Sequence, residues 1–161
     1  QRAINSFNRG RPTLLISVGI NKPQALEQVI ASRVRGIMQM YVSNNESPDR
    51  LQEIAMEARK YGQVIVAIHD ARNRPQRTLP LPEAVVGFID KVTNKNTITI
   101  VNANPYTLNN LDVSQSGSII MAYQNDAFMQ RATAKVLFKD IRSEGKLPVT
   151  ISRKYKFGAG M

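Results

Sequence analysis

The run TLLISVG, Thr13–Gly19, constrains this chain more than any other feature. A strand with one wet face alternates polar and apolar residues, whereas an unbroken apolar run is buried on both faces. Such a strand belongs inside a sheet covered by helices. The rest of the chain supplies both. GIMQMYV (Gly36–Val42), VIVAI (Val64–Ile68), TITIVNA (Thr97–Ala103) and SIIMAY (Ser118–Tyr123) read as further strands. Between them lie stripes at helical spacing. Ala25, Leu26, Val29 and Ile30 share one face after Pro23, and Leu51, Ile54, Ala55 and Ala58 share another behind the cap Ser47-Pro48. Val85, Phe88, Ile89 and Val92 follow Pro82, and Phe128, Met129, Ala132 and Val136 follow a cap at Asn125 or Asp126. Strands and helices alternate except between the fourth and fifth strands. The fold class expected is α/β: a three-layer, doubly wound, mostly parallel sheet with helices on both faces. No repeat or linker divides the 161 residues, so residues 1–161 form a single α/β domain.

Composition excludes several chemistries. The chain has no cysteine, which removes disulfides, thiol nucleophiles and thiolate metal sites. No apolar run reaches the roughly 20 residues of a membrane span. The net charge of +10 favours anionic partners, yet the 22 Lys and Arg residues are scattered and few aromatics stand beside them. Nucleic acid is therefore not the expected partner. A solvated basic surface, or a face made for a missing partner, explains the charge better.

In a doubly wound sheet the carboxyl ends of the strands are the place to look for a site. The third strand ends there in His69-Asp70. His69 is the single histidine, able in principle to serve as a general base, but no nucleophile is placed near it by the sequence. A strand-end or interface histidine is the plainer reading. The loop Asp70–Leu81 carries Arg72, Arg74 and Arg77, which could hold a carboxylate or phosphate, or could face a partner or solvent. No cofactor is expected. VGINKPQAL after the first strand lacks the dinucleotide fingerprint, a Walker loop is absent, and LISVGIN offers no acidic residues for a Mg²⁺-dependent phospho-receiver. No His/Asp/Glu group has metal-ligand spacing, and Gly-x-Ser-x-Gly does not occur.

The segment LFKDIRSEGKLPVTI, Leu137–Ile151, resembles the signature near the end of the C-terminal α/β domain of family 3 glycoside hydrolases. Leu137, Phe138, Asp140, Gly145, Lys146, Leu147, Pro148, Val149 and Thr150 match that signature. Lys139 stands where the family usually has Gly, and Glu144 departs from the usual Ser. Upstream, VIVAI, a charged loop, LPLP, a helix and NTITIVNANPYTL are similar to the family's strand, loop, Leu-x-Leu-Pro and following strand. The resemblance is carried by about the last 100 residues, and earlier ones share only the order of elements.

Membership would imply a larger parent, with a (β/α)8 barrel upstream that holds the nucleophilic aspartate of a retaining glycosidase. The chain is then expected to be an excised domain, inactive alone, with the barrel of the same polypeptide and a carbohydrate substrate as partners. Whether YKFGAGM is a natural end stays open. Many β-glucosidases of the family carry their acid/base glutamate in the loop before Leu-x-Leu-Pro. Here that loop, HDARNRPQRTLPLP, has no glutamate, so no residue inherits the role. The resemblance thus points to the β-N-acetylhexosaminidase branch, in which a barrel His/Asp pair moves the proton. The expected function is a non-catalytic C-terminal domain, from a β-N-acetylglucosaminidase, that packs on the barrel and shapes the substrate cleft. His69, Asp70, Arg72, Arg74 and Arg77 form the expected substrate- or barrel-facing loop. A stand-alone carbohydrate- or anion-binding module and the C-domain of a β-glucosidase remain as alternatives. A bacterial periplasmic or extracellular location is expected.

Overall fold

The computed structural model describes residues 7–76 and 78–160. Five strands, β1 (Thr13–Val18), β2 (Met38–Val42), β3 (Gln63–His69), β4 (Thr97–Asn102) and β5 (Ser118–Met121), form one sheet in the order β2-β1-β3-β4-β5. Every pairing is parallel. All positions of β1, β3 and β4 are buried, as the unbroken run in β1 requires. The edge strands β2 and β5 keep partly exposed positions and are shorter than their apolar runs.

Helices α1 (Ala25–Arg33), α2 (Pro48–Ala58), α3 (Glu83–Val92) and α4 (Ala127–Leu137) cover the two faces. Alternation of side chains along each strand divides the core in two. Leu14, Ile16, Val18, Val64, Val66 and Ile68 point to the face of α2 and α3, where they meet Leu51, Ile54, Val85 and Phe88. Leu15, Ile65, Ala67, Ile98 and Ile100 point the other way, onto Leu26 and Ile30 of α1 and Ala134 and Leu137 of α4. Each fully buried aliphatic side chain of this kind contributes about 1.5–3 kcal/mol.

The helix starts follow capping chemistry. Ser47 Oγ accepts from Arg50 N at 3.2 Å ahead of Pro48, and Asp126 Oδ1 accepts from Met129 N at 2.9 Å. Between β4 and β5 the chain makes only a short 3-10 helix, Pro105–Asn109, capped by Asn104 Oδ1 accepting from Tyr106 N at 3.1 Å.

The terminal segment crosses from one face of the sheet to the other. Leu137 and Phe138 close the α1/α4 core. Arg33 lies 4.1 Å over the Phe138 ring and grips Asp140 with both guanidinium nitrogens. Leu147 and Ile151 then enter the α2/α3 core. The stretch from Leu147 is not a strand, although its sequence reads as extended. It pairs instead with its own tail: Leu147 N donates to Ala159 O at 2.8 Å, and Gly158 N donates to Leu147 O at 2.9 Å.

Candidate functional site

The strand order reverses between β1 and β3, so the carboxyl ends of these two strands flank the crevice where doubly wound sheets hold ligands. The two ends approach closely there. Gly19 follows β1 at φ +90°, and a Cβ on it would stand 2.5 Å from the carbonyl oxygen of His69. Only glycine meets both demands.

His69 points to the α1/α4 face and is buried, with 1% of its surface exposed. Its Nε2 lies 2.7 Å from Glu27 Oε1, and its Nδ1 lies 2.7 Å from Asn125 Oδ1. Ser17 Oγ of β1 donates to the same Glu27 oxygen at 2.9 Å, and Gln24 N donates to Glu27 Oε2 at 3.0 Å. Burial by itself would raise the Glu27 carboxyl. The His69 hydrogen bond and charge, with the Ser17 and Gln24 bonds, outweigh it and hold the group below its ordinary value. Gln130 of α4 completes the cluster. Its Oε1 accepts from Leu26 N at 3.1 Å, and its Nε2 donates to Gln24 Oε1 at 2.8 Å and Asn125 Oδ1 at 3.0 Å. Asn102, the partner of His69 in the β3–β4 register, is also buried, and neither side-chain polar atom has a protein partner among the described residues.

Asp70 and Arg72 lie just beyond. Arg72 Nε donates to Asp70 Oδ1 at 2.7 Å, its Nη2 donates to Oδ2 at 2.6 Å, and Nη2 also donates to Thr78 O at 2.9 Å. The fork that could hold a ligand anion is thus taken by a carboxylate of the same loop. Arg74 is exposed, and Arg77 falls outside the described residues. Of the five candidates, His69 is therefore turned into the interior, Asp70 and Arg72 are joined to each other, and Arg74 faces solvent.

Around them opens a cleft of about 820 Å³, bounded by Asp70–Asn73 on one side and Tyr123–Asp126 on the other, with Gln24 and Asn104 between. Amide side chains dominate its polar lining. Its charged groups are the Asp70–Arg72 pair and Asp126, so nothing in it draws anions strongly. Tyr123 adopts φ +64°, a costly conformation for an aromatic residue, at the exit of β5. Among the described residues no three His, Asp or Glu side chains group as metal ligands, and no helix is long and apolar enough to cross a membrane.

Glu27, Gln24 and Gln130 were not marked by motif or spacing, and Asn125 was read only as a possible cap of α4, a role that Asp126 takes. The signal available was a glutamate inside the apolar stripe of α1, between Leu26 and Ile30. A carboxylate on a core-facing stripe demands a buried partner.

Comparison with known proteins agrees with this architecture. A solved family 3 β-N-acetylglucosaminidase from Paenibacillus sp. str. FPU-7 superposes with a TM-score of 0.69 at 17% identity over 91% of this chain and 28% of its own. A fungal multi-domain family 3 β-N-acetylglucosaminidase superposes with a TM-score of 0.62 at 18% identity, over 93% of this chain and 17% of its own. The chain thus spans less than a third of either enzyme. No curated protein matches it. The model of the glycosyl hydrolase family 3 C-terminal domain matches residues 7–157, and the chain belongs to that family.

Proposed function

We propose that this chain is the non-catalytic C-terminal domain of a retaining β-N-acetylglucosaminidase, packed on a catalytic barrel of the same polypeptide and forming one wall of its substrate cleft. One observation carries the reading. Both carboxylates that line the cleft are already engaged, Asp70 in the Arg72 fork and Asp126 as the cap of α4. A retaining glycosidase needs one free carboxylate as nucleophile and a second group to carry the proton. The cleft supplies a mainly amide-lined wall in their place, which suits a sugar better than an anion. The β-glucosidase alternative needs a glutamate in the β3–α3 loop, and His69–Leu81 contains none. A parent acting on amino-sugar glycans of a cell wall fits a periplasmic or extracellular setting.

The test is turnover of an aryl N-acetylglucosaminide by the 161-residue chain alone and by the chain joined to its barrel. No hydrolysis is expected from the chain alone, and activity is expected from the joined form. Robust hydrolysis by the isolated chain contradicts the proposal.

A further inference from the structure

We propose that a hydrogen-bond relay of fixed direction, Leu26–Gln130–Asn125–His69–Glu27, makes the cleft wall at Gln24 and Asn125 a donor surface for the carbonyl or hydroxyl oxygen of a neutral acetamido sugar. The sugar half of this inference rests on the function proposed above; the direction of the relay stands on geometry alone.

The direction begins at a backbone group whose role is not in question. Leu26 N is a donor, so the Gln130 atom 3.1 Å from it is the carbonyl oxygen, and Gln130 Nε2 is the amino group. That amino group has three neighbours, a side-chain atom of Gln24 at 2.8 Å, one of Asn125 at 3.0 Å and the Asn125 carbonyl oxygen at 3.2 Å; an amino group at either side-chain position would set N–H against N–H, so both are oxygens. Asn125 Oδ1 therefore faces His69 Nδ1 as an acceptor, and Nδ1 carries a hydrogen. At the other side of the ring, the Glu27 carboxylate accepts from Nε2, which carries one too. His69 is thus an imidazolium, paired inside the protein with Glu27.

The opposite orientation of Asn125 fails on two contacts. It would set an amino group against Gln130 Nε2 at 3.0 Å, and an oxygen against Gln24 Oε1 at 3.4 Å. It would gain one bond, to a bare Nδ1. The other charged or titratable groups nearby do not compete for His69. Burial, and after it the Glu27 charge, pushes up the Tyr41 hydroxyl on β2, and Asp70 is taken by Arg72.

The consequence falls on the cleft, which both Gln24 and Asn125 line. Their oxygens are turned into the relay. Gln24 Oε1 accepts from Gln130 Nε2 at 2.8 Å and from Asn125 Nδ2 at 3.4 Å. Gln24 Nε2 has no acceptor among the described residues, and Asn125 Nδ2 uses one of its two hydrogens. An amide wall left free would offer donors and acceptors alike. This one offers N–H groups, and its ligand must bring the oxygen.

His69 is the single histidine of the 161 residues, so ¹⁵N-histidine labelling gives one ring to read. At neutral pH both ring nitrogens are expected to bear hydrogens, each protected from solvent exchange. A neutral ring with one bare nitrogen overturns the relay. In a uniformly ¹⁵N-labelled sample, N-acetylglucosamine is expected to move the side-chain amide signals of Gln24 and Asn125. Gln24→Glu, which keeps an acceptor for Gln130 but presents no donor, is expected to weaken binding about tenfold with the His69 signals unchanged. An imidazolium with amides indifferent to the sugar overturns the ligand assignment. Neither result depends on turnover, which alone decides whether the chain is catalytic.

Discussion

Two acid–base pairs lie near the carboxyl edge of the sheet and are built in opposite ways. Glu27 and His69 come from α1 and β3, 42 residues apart, and their side chains are fully buried. Asp70 and Arg72 are two residues apart in one loop, and the Arg72 side chain keeps 31% of its surface exposed. The first pair ties together α1, β1, β3 and α4. The second folds a loop back on itself. A buried ion pair is costly to break because the surviving charge is left without solvent, whereas a wet one is partly replaced by water. The interior pair is therefore the frame of the site, and the loop pair is a local clasp.

Removing the carboxylate with Glu27→Leu should break that contrast most sharply. It leaves His69 and Ser17 without their acceptor, and a loss of about 3–5 kcal/mol in a urea titration is expected. A loss below that of Arg72→Ala would reverse the ranking. The pair also has a pH signature. The Glu27 carboxyl is held below its unfolded value of about 4.5, so its stabilisation is fully present above that pH and is lost as pH falls through the folded value. Unfolding midpoints followed downward from pH 6 should show an acid limb, and Glu27→Gln should flatten it.

Gly19→Ala acts on the same frame through the backbone. The new Cβ would meet the His69 carbonyl at a φ that alanine avoids, and about 1–3 kcal/mol should be lost, with β1 and β3 amides exchanging faster. Arg72→Ala probes the clasp. Removing the guanidinium opens Asp70 to water and leaves its Oδ1 accepting from the backbone N–H of residue 72 at 3.3 Å, so about 1–2 kcal/mol is expected from thermal melts. Outside both pairs, Lys139 sits at φ +62° just after α4, where the family usually has glycine. Lys139→Gly should raise stability by about 1 kcal/mol, a small gain that sets the scale for the losses.

The sheet was legible because burial on both faces fills the central strands mainly with apolar and β-branched residues, as β1 shows over Thr13–Val18. The edges were less so. Gly36–Ile37 and Ala122–Tyr123 belong to the apolar runs but leave the ladder, where Gly36 at φ +70° and Tyr123 at φ +64° turn the chain out of the extended conformation. The LPVTI segment reads as extended and is not a strand, because Leu147 pairs with the tail at Gly158–Ala159 rather than with β5. His69 stood out as the single histidine at a strand end. Its partners did not, because Glu27 is 42 residues before it and Asn125 56 after. Arg72 was expected to look outward. Asp70, two residues back, was the nearer anion, and a bidentate fork closes on whichever carboxylate is already in place.

The central claim is that the cleft at the carboxyl edge faces a catalytic barrel and its substrate. Hydrogen exchange compared between the 161-residue chain alone and the chain joined to its barrel tests it most directly. The account predicts slower exchange on joining at Ala71–Gln76 and Tyr123–Asp126, with the opposite, amino-terminal edge around Arg11 and Asn96 unchanged. Protection confined to that amino-terminal edge would contradict it.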